Sequence, residues 1–323
     1  MPRLSPALLA ATGGGVVAAV MYLAVLTGSA LGMMMVYLVP FPLFVVGLAF
    51  GAGAALVAVT LATVLAVLVA GTVALPLAFL VTSGVPVLLL VRQALLSRQH
   101  TDGTAEWYPA GLLLVLVSGL GGLLVIVACG LGFILGNDGG LEGAIHDLLV
   151  QALPVLFQGS GITPDQAQSD AVAEVITSVF PGMIVVTWLL MVIVNGLLAQ
   201  AALARCGRLR RPGLRMSEVD LPGWTPLVLA LTLAGAVLLD GQARYLAINL
   251  SIVLVVPFLF AGLAVVHAFA AGRSSRATIL VVFYILVTVV AWLVLAVIGL
   301  GIIDQWAGLR RRFGAGSSDR GGV

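Results

Sequence analysis

Long apolar stretches alternate with short polar turns along almost the whole chain. Nine such stretches, most of them 17 to 28 residues long, lie at 8–26, 31–50, 52–71, 74–96, 109–136, 176–204, 225–240, 245–271 and 277–303. A bilayer core about 30 Å thick is crossed by about 20 apolar residues in a helix. The pattern therefore predicts an all-α, polytopic membrane helix bundle of eight or nine transmembrane helices. All 323 residues form a single integral membrane domain in this interpretation.

The longest interruption, residues 137–174, has a helical pattern of its own. Apolar residues recur there at helical spacing: Leu141, Ile145, Leu148, Leu149, Leu153 and Leu156. Polar residues take the opposite face: Glu142, His146, Asp147 and Gln151. This pattern is typical of an amphipathic helix at a membrane interface, and we expect an outer amphipathic segment here.

Arginine placement predicts the orientation in the membrane, because cytoplasmic loops retain basic residues. Arginines cluster in the turns after the fourth, sixth and eighth stretches: Arg92, Arg98, Arg205, Arg208, Arg210, Arg211, Arg215, Arg273 and Arg276. Segment 137–174 contains acidic residues and no arginine. The N-terminus is therefore predicted to be cytoplasmic. The exception is Arg310–Arg312, which a nine-crossing count leaves outside. We favour nine crossings, because 277–303 is as apolar as any other stretch.

The amino-acid composition limits the location and the classes of function expected for the chain. Hydrophobic residues make up 61% of the chain, charged residues 9%, and lysine is absent, which favours a GC-rich bacterial genome and the bacterial inner membrane. A net charge of +2 gives no reason to expect nucleic-acid binding. Cys129 and Cys206 lie in a predicted span and a turn, so we expect no disulfide between them.

Catalytic and cofactor motifs are missing from the sequence. The three histidines lie in separate regions, without cysteine or carboxylate at ligand spacing, so no metal site is predicted. Neither a nucleophile elbow, a zinc-protease motif nor a phosphate-binding loop is present. We therefore expect no enzymatic activity and no cofactor.

Small residues recur every four positions on two predicted helices. One stripe comprises Ala7, Ala11, Gly15 and Ala19, and the other comprises Ala54, Ala58, Ala62, Ala66 and Ala70. Such stripes let helix backbones approach closely within a membrane. They predict either docking of a partner membrane protein or a second copy, or packing within this bundle.

Polar residues inside the stretches are few. Asn195 and Asn249 carry amides that are expensive to leave unpaired in hydrocarbon. Together with Tyr37 and Tyr284 they form a candidate polar pocket for a small solute. The alternative is ordinary hydrogen bonding between helices, which contributes about 0.6–2 kcal/mol per contact. Prolines within the stretches predict broken or bent helices, which surround the binding sites of many transporters.

Several local runs resemble one family of bacterial membrane proteins. They are Trp107-Tyr108-Pro109, Asn195–Gln200, Tyr245–Leu250, Pro257-Phe258, Gly262–His267 and Asp304-Gln305-Trp306. The likeness is to the YybS-like family, domain of unknown function 2232, and spans nearly the whole chain. That family is distantly similar to the substrate-binding S-components of energy-coupling-factor transporters. The resemblance implies a docking role for Ala7, Ala11, Gly15 and Ala19, by analogy with the alanine motif of S-components.

Two functions follow from these patterns. The first is a solute-binding or transport-associated subunit in the lipid bilayer. The alternative is a membrane scaffold that assembles partner proteins through its small-residue helix faces.

Overall fold

A computed structural model describes residues 5–134, 139–158, 165–214, 216–271 and 273–310. The described chain is almost entirely helical, which confirms the predicted all-α class. Its contacts divide it into two compact units. The first comprises residues 1–117 and 188–215, and the second comprises residues 118–187 and 216–323.

Thirteen α-helices, two short strands and three single-turn elements follow one another along the described residues. The helices are α1 Pro6–Leu23, α2 Ala30–Val36, α3 Pro40–Phe50, α4 Ala52–Ala70, α5 Ala74–Phe79, α6 Val85–Ala94, α7 Ala110–Ile134, α8 Gly140–Gln158, α9 Gln166–Arg205, α10 Thr225–Leu238, α11 Gly241–Ala270, α12 Arg276–Val289 and α13 Leu293–Ala307. The strands are β1 Ser97–Gln99 and β2 Ala105–Trp107. The single-turn elements are 3₁₀ turns at Ala24–Thr27 and Met216–Glu218 and a π-helical turn at Leu80–Gly84.

Seven described helical segments are long and apolar enough to cross a membrane. Most follow the predicted stretches to within a few residues. Two predicted stretches differ: 225–240 contains the 14-residue helix α10, and 277–303 is two helices of 14 and 15 residues, α12 and α13. α12 stops before Val290, whose φ of −111° and ψ of 80° are not helical. β-branched and aromatic residues are concentrated at this joint, where helix propensity is low.

In the first unit, the two small-residue stripes belong to α1 and α4, which pack together. Ala11 and Gly15 on α1 are buried, as are Ala58 and Ala62 on α4. A Cβ built on Gly15 would stand 2.6 Å from the carbonyl oxygen of Ala58. The small residues therefore allow backbone-to-backbone contact between these two helices.

The second unit is organised around α11, which packs against α10 and α13. Gly262 on α11 lies against the backbone carbonyl of Val297, and Gly301 on α13 lies against that of Phe258. Since the earlier residue of α11, Phe258, contacts the later residue of α13, Gly301, the two helices run antiparallel. Neither glycine position has room for a side chain.

The end of α13 is held by a buried ion pair. Arg310 donates from Nε to Asp304 Oδ2 at 2.5 Å and from Nη2 to Asp220 Oδ1 at 2.9 Å, and its Nη1 donates to the Val219 carbonyl. Asp304 is buried. Since Val219 and Asp220 lie shortly before α10, Arg310 lies beside the place where α10 begins.

The predicted amphipathic segment contains α8 and the start of α9, although 137, 138 and 159–164 lie outside the described residues. Leu149 and Leu153 of α8 form a buried cluster with Ala173 of α9. Asp165 caps α9: its carboxylate accepts from the Gln168 N–H at 2.7 Å, and Gln168 Oε1 accepts from the Asp165 N–H at 3.3 Å. Leu149 and Leu153 of α8 thus pack on α9 within the second unit, whereas Leu148 is exposed.

Candidate functional site

The polar side chains within the helices are concentrated where prolines disturb the backbone. Proline has no N–H, so the carbonyl four residues earlier loses its helical partner. In a membrane that carbonyl must find another donor, because hydrocarbon offers none. In the described chain, side chains from other helices satisfy two such carbonyls, those of Thr177 and Thr82, and also the Tyr37 carbonyl next to the proline-containing start of α3.

The first place is Pro181 in α9, within the second unit. The carbonyl of Thr177, which Pro181 leaves without a helical donor, accepts a hydrogen bond from the Tyr245 hydroxyl at 3.2 Å. The next N–H, that of Gly182, donates to Asn249 Oδ1 at 2.7 Å. Asn249 Nδ2 in turn donates to the Ser178 carbonyl at 3.1 Å. The Asn249 amide therefore stands between the backbone groups of Gly182 and Ser178, which would bond each other in a regular helix.

Asn249 is completely buried and all of its polar groups are used. Besides the Ser178 carbonyl, Nδ2 donates to the Tyr245 carbonyl of its own helix at 2.9 Å. Gly182 makes the close approach possible, since a Cβ there would lie 3.0 Å from Asn249 Oδ1. This asparagine is a structural clamp between α9 and α11.

The second place is the break between α2 and α3, within the first unit. In a regular helix the Tyr37 carbonyl would accept from the Phe41 N–H, but that group donates to the Leu38 carbonyl at 3.0 Å. Pro40 and Pro42 supply no donors. The Tyr37 carbonyl instead accepts from Asn195 Nδ2 at 2.7 Å.

The side-chain oxygen of Asn195, unlike that of Asn249, is unpaired among the described residues. Asn195 Nδ2 also donates to the Met191 carbonyl at 2.7 Å, whereas its Oδ1 has no partner among the described residues and no exposed surface. The residue is only 2% exposed. An unpaired buried acceptor costs about 1–3 kcal/mol. This oxygen is one of six buried side-chain polar atoms that have no partner among the described residues, and Thr177 Oγ1, beside the clamp, is another.

The third place is Pro86, at the start of α6. It leaves the Thr82 carbonyl of the π-helical turn free, and Trp188 Nε1 donates to that carbonyl at 2.7 Å. Trp188 precedes Asn195 by two helical turns on α9, so both donors lie on the same side of that helix. The aromatic ring of Phe44 lies against Gly196, 3.6 Å from where a Cβ would be. One aromatic ring therefore lies against the residue that follows Asn195, and another lies two turns earlier on α9.

The four residues of the predicted pocket are distributed between the two units. Asn195 and Tyr37 meet in the first unit, but through the Tyr37 backbone, and the Tyr37 side chain is exposed. Asn249 belongs to the second unit, with the clamp described above. Tyr284, also in the second unit, has its ring centroid 6.0 Å from that of His267.

The small-residue positions are used unequally. Ala19 and Ala66 are buried, like the four stripe residues already placed in the α1–α4 contact. Ala7, Ala54 and Ala70, towards the helix ends, are partly exposed.

Sequence reasoning missed Tyr245, Trp188 and Gly182. A signal for the first two existed: each proline identifies the carbonyl four residues earlier as one in need of a donor. The donor's identity depends on tertiary packing and has no local pattern. Within the described residues, no group of three or more histidines, cysteines and carboxylates could hold a metal ion.

Together these features define a multi-pass membrane protein whose polar groups stabilise broken helices. A family described as "Predicted membrane protein (DUF2232)" matches residues 16–305, and the chain belongs to that family. No curated protein and no solved structure matches the chain.

Proposed function

We propose that this chain is a solute-binding or transport-associated membrane protein, and that Asn195 Oδ1 is its polar recognition group. The observation that carries the proposal is the unpaired, buried state of this oxygen beside a break in the α2–α3 segment. A ligand that donates a hydrogen bond removes the cost of leaving the oxygen unpaired. The resemblance to S-components, which bind vitamins, points in the same direction.

The surroundings specify the chemistry of the ligand. Trp188 lies two turns before Asn195 on α9, and the Phe44 ring lies against Gly196, the next residue. Among the described residues, the Asn195 amide is hydrogen-bonded only to backbone carbonyls and to no charged side chain. Small-molecule sites combine mostly apolar walls with a few placed polar groups. The ligand is therefore a small uncharged molecule with an N–H or O–H donor on an apolar or aromatic body.

Entry of the ligand requires movement, because Asn195 Oδ1 has no exposed surface. The turn at 37–39, whose backbone is held by i→i+3 hydrogen bonds, provides a place for it, since α2 has only seven residues and Tyr37 is exposed. Hinges are short element ends that absorb changes in φ and ψ. Opening at this joint would release the Tyr37 carbonyl from Asn195 and uncover the amide.

The alternative function, a membrane scaffold, is less well supported. It would use the small-residue faces of α1 and α4, but Gly15 and Ala58 are in contact with each other. A partner would have to separate these helices before it could dock.

The proposal includes a bacterial inner-membrane location, a cytoplasmic N-terminus and no enzymatic activity. In a cysteine-free background, a cysteine at Gly223 should react with an impermeant thiol reagent only after the inner face is opened. A cysteine at Asp147 should react from outside. Labelling with the opposite sidedness would refute this orientation. A cysteine at Gly316 distinguishes nine crossings, which place it outside, from eight, which place it inside.

Native mass spectrometry of gently extracted protein tests the binding function. We expect wild type to carry a small molecule that Asn195→Leu lacks. Thr187→Val is the matched control, because it removes a polar group from the same helix, where Thr187 is exposed and bonded to its own turn. Circular dichroism verifies that each variant is folded. A wild type that carries no small molecule, or an Asn195→Leu variant that retains it, contradicts the proposal.

A further inference from the structure

A buried arginine lies in the connection that follows α9. Arg211 is 8% exposed and belongs to the first unit. Its Nη1 donates to the carbonyl of Ala94, the last residue of α6, at 2.9 Å. Its Nη2 donates to the Tyr108 carbonyl at 3.3 Å, and the guanidinium carbon lies 5.9 Å from the Trp107 ring centroid.

The charge of Arg211 has no anionic partner among the described residues. The neighbouring β-hairpin has two carboxylates, but Glu106 pairs with His100 at 3.1 Å and Asp102 accepts hydrogen bonds from Thr104. Burial lowers the pKa of the Arg211 guanidinium, as expected for a desolvated cation. A buried charge in a protein is ordinarily paired with an opposite charge. Arg211 therefore lacks the anion that would be expected beside it.

The hydrogen-bonding capacity of Arg211 is also incomplete. A guanidinium has five N–H donors, and the two carbonyls use only two of them. Nε is buried and unpaired among the described residues. Carbonyl oxygens are neutral, so they orient the guanidinium without balancing its charge.

The location favours one kind of anion. Trp107 and Tyr108 stand immediately before α7, and aromatic residues at the ends of membrane helices lie at headgroup level. Phosphate groups are the abundant anions there, and arginine matches their geometry with paired N–H donors. Arg208 and Arg210, close by in the sequence, add to the positive charge of this face.

We propose that Arg211 binds a phosphate group, held by the guanidinium N–H donors that Ala94 and Tyr108 leave free. The phosphate belongs either to an anionic lipid headgroup or to a free phosphate ion. This site is separate from the Asn195 amide and does not depend on the solute-binding function.

Thermal unfolding of the full chain in uncharged maltoside micelles tests the site. One series adds phosphatidylglycerol, with diacylglycerol as the phosphate-free lipid control. A second series adds sodium phosphate, with sodium chloride at the same ionic strength as the control. A saturable rise in the unfolding midpoint with phosphatidylglycerol alone identifies a lipid headgroup, and a rise with sodium phosphate identifies a free ion.

The variants decide whether Arg211 is responsible. Arg211→Gln should raise the concentration of the stabilising phosphate source that gives half of the midpoint rise by about tenfold or more, because it removes the charge-assisted hydrogen bonds. Arg208→Gln is the matched control, since Arg208 is an exposed arginine of the same connection, and it should respond like wild type. Arg211→Met, which keeps the length of the side chain without its charge, replaces the glutamine variant if that protein does not fold. The proposal is overturned if neither phosphate source stabilises wild type, or if the Arg211 variant responds like wild type.

Discussion

Two asparagines stabilise two broken places of this chain, and they do so with different degrees of completeness. Asn249 uses both amide hydrogens and its oxygen to replace a missing step of α9. Asn195 uses its amide nitrogen on the Tyr37 carbonyl, while its oxygen has no partner among the described residues. A fully paired buried amide stabilises the fold, whereas a half-paired one has capacity left for a ligand. The same residue type therefore has a structural role in the second unit and a candidate binding role in the first.

Removing the complete clamp should have the largest effect. Asn249→Leu strands the Gly182 N–H and the Ser178 carbonyl in a buried place, and we expect a loss of about 3 kcal/mol in the free energy of unfolding. Reversible unfolding in mixed micelles measures it. Ser251→Ala is the control on the same helix, because Ser251 bonds only the Ala247 carbonyl of its own turn among the described residues. A loss no larger than that of the control would show that Asn249 does not act as a clamp between α9 and α11.

Overpacking the contact between α1 and α4 in the first unit should cause the second-largest loss of stability. Gly15→Leu should cost about 1–3 kcal/mol, because its side chain would collide with the Ala58 backbone. Gly13→Leu on the same helix meets nothing within 4 Å among the described residues and should be nearly neutral. The same unfolding assay compares them. Equal stabilities would mean that α1 and α4 do not pack through this stripe.

The tyrosine of the clamp should matter less than the asparagine. Tyr245→Phe removes one hydrogen bond to the Thr177 carbonyl and keeps the ring, so we expect a loss of about 1 kcal/mol. Tyr37→Phe serves as the control, because the Tyr37 side chain is exposed. A Tyr245→Phe variant as stable as that control would show that the Thr177 carbonyl finds another donor.

The smallest effect is expected at Asn195. Asn195→Leu loses the bond to the Tyr37 carbonyl but also removes the unpaired oxygen, so the net change should be about 1 kcal/mol or less. Ligand-free protein, unfolded under the same conditions, is required for this measurement. A loss as large as that of Asn249→Leu would mean that the oxygen has a structural partner.

The helices could be predicted from the sequence because uninterrupted apolar runs of this length have few other solutions. The runs 225–240 and 277–303 were exceptions: the first is a helix of only 14 residues, and in the second hydropathy does not register the non-helical backbone at Val290. Asn195 and Asn249 were recognisable because amides are rare inside such runs. Their partners were not, since Gly182 and the Tyr37 carbonyl are identified only by which helices meet. Arg211 looked like one more arginine of a basic turn, because burial of a charge has no sequence pattern.

If Asn249 replaces the hydrogen bond between Gly182 and Ser178 that Pro181 disrupts, Asn249 and Pro181 should be energetically coupled, and a double-mutant cycle measures that coupling. Pro181→Ala restores an N–H for the Thr177 carbonyl and allows Gly182 and Ser178 to bond each other. In that background, the cost of Asn249→Leu should fall from about 3 to about 1 kcal/mol, whereas that of Asn195→Leu should not change. An Asn249→Leu cost that is the same with Pro181 and with alanine would contradict the account.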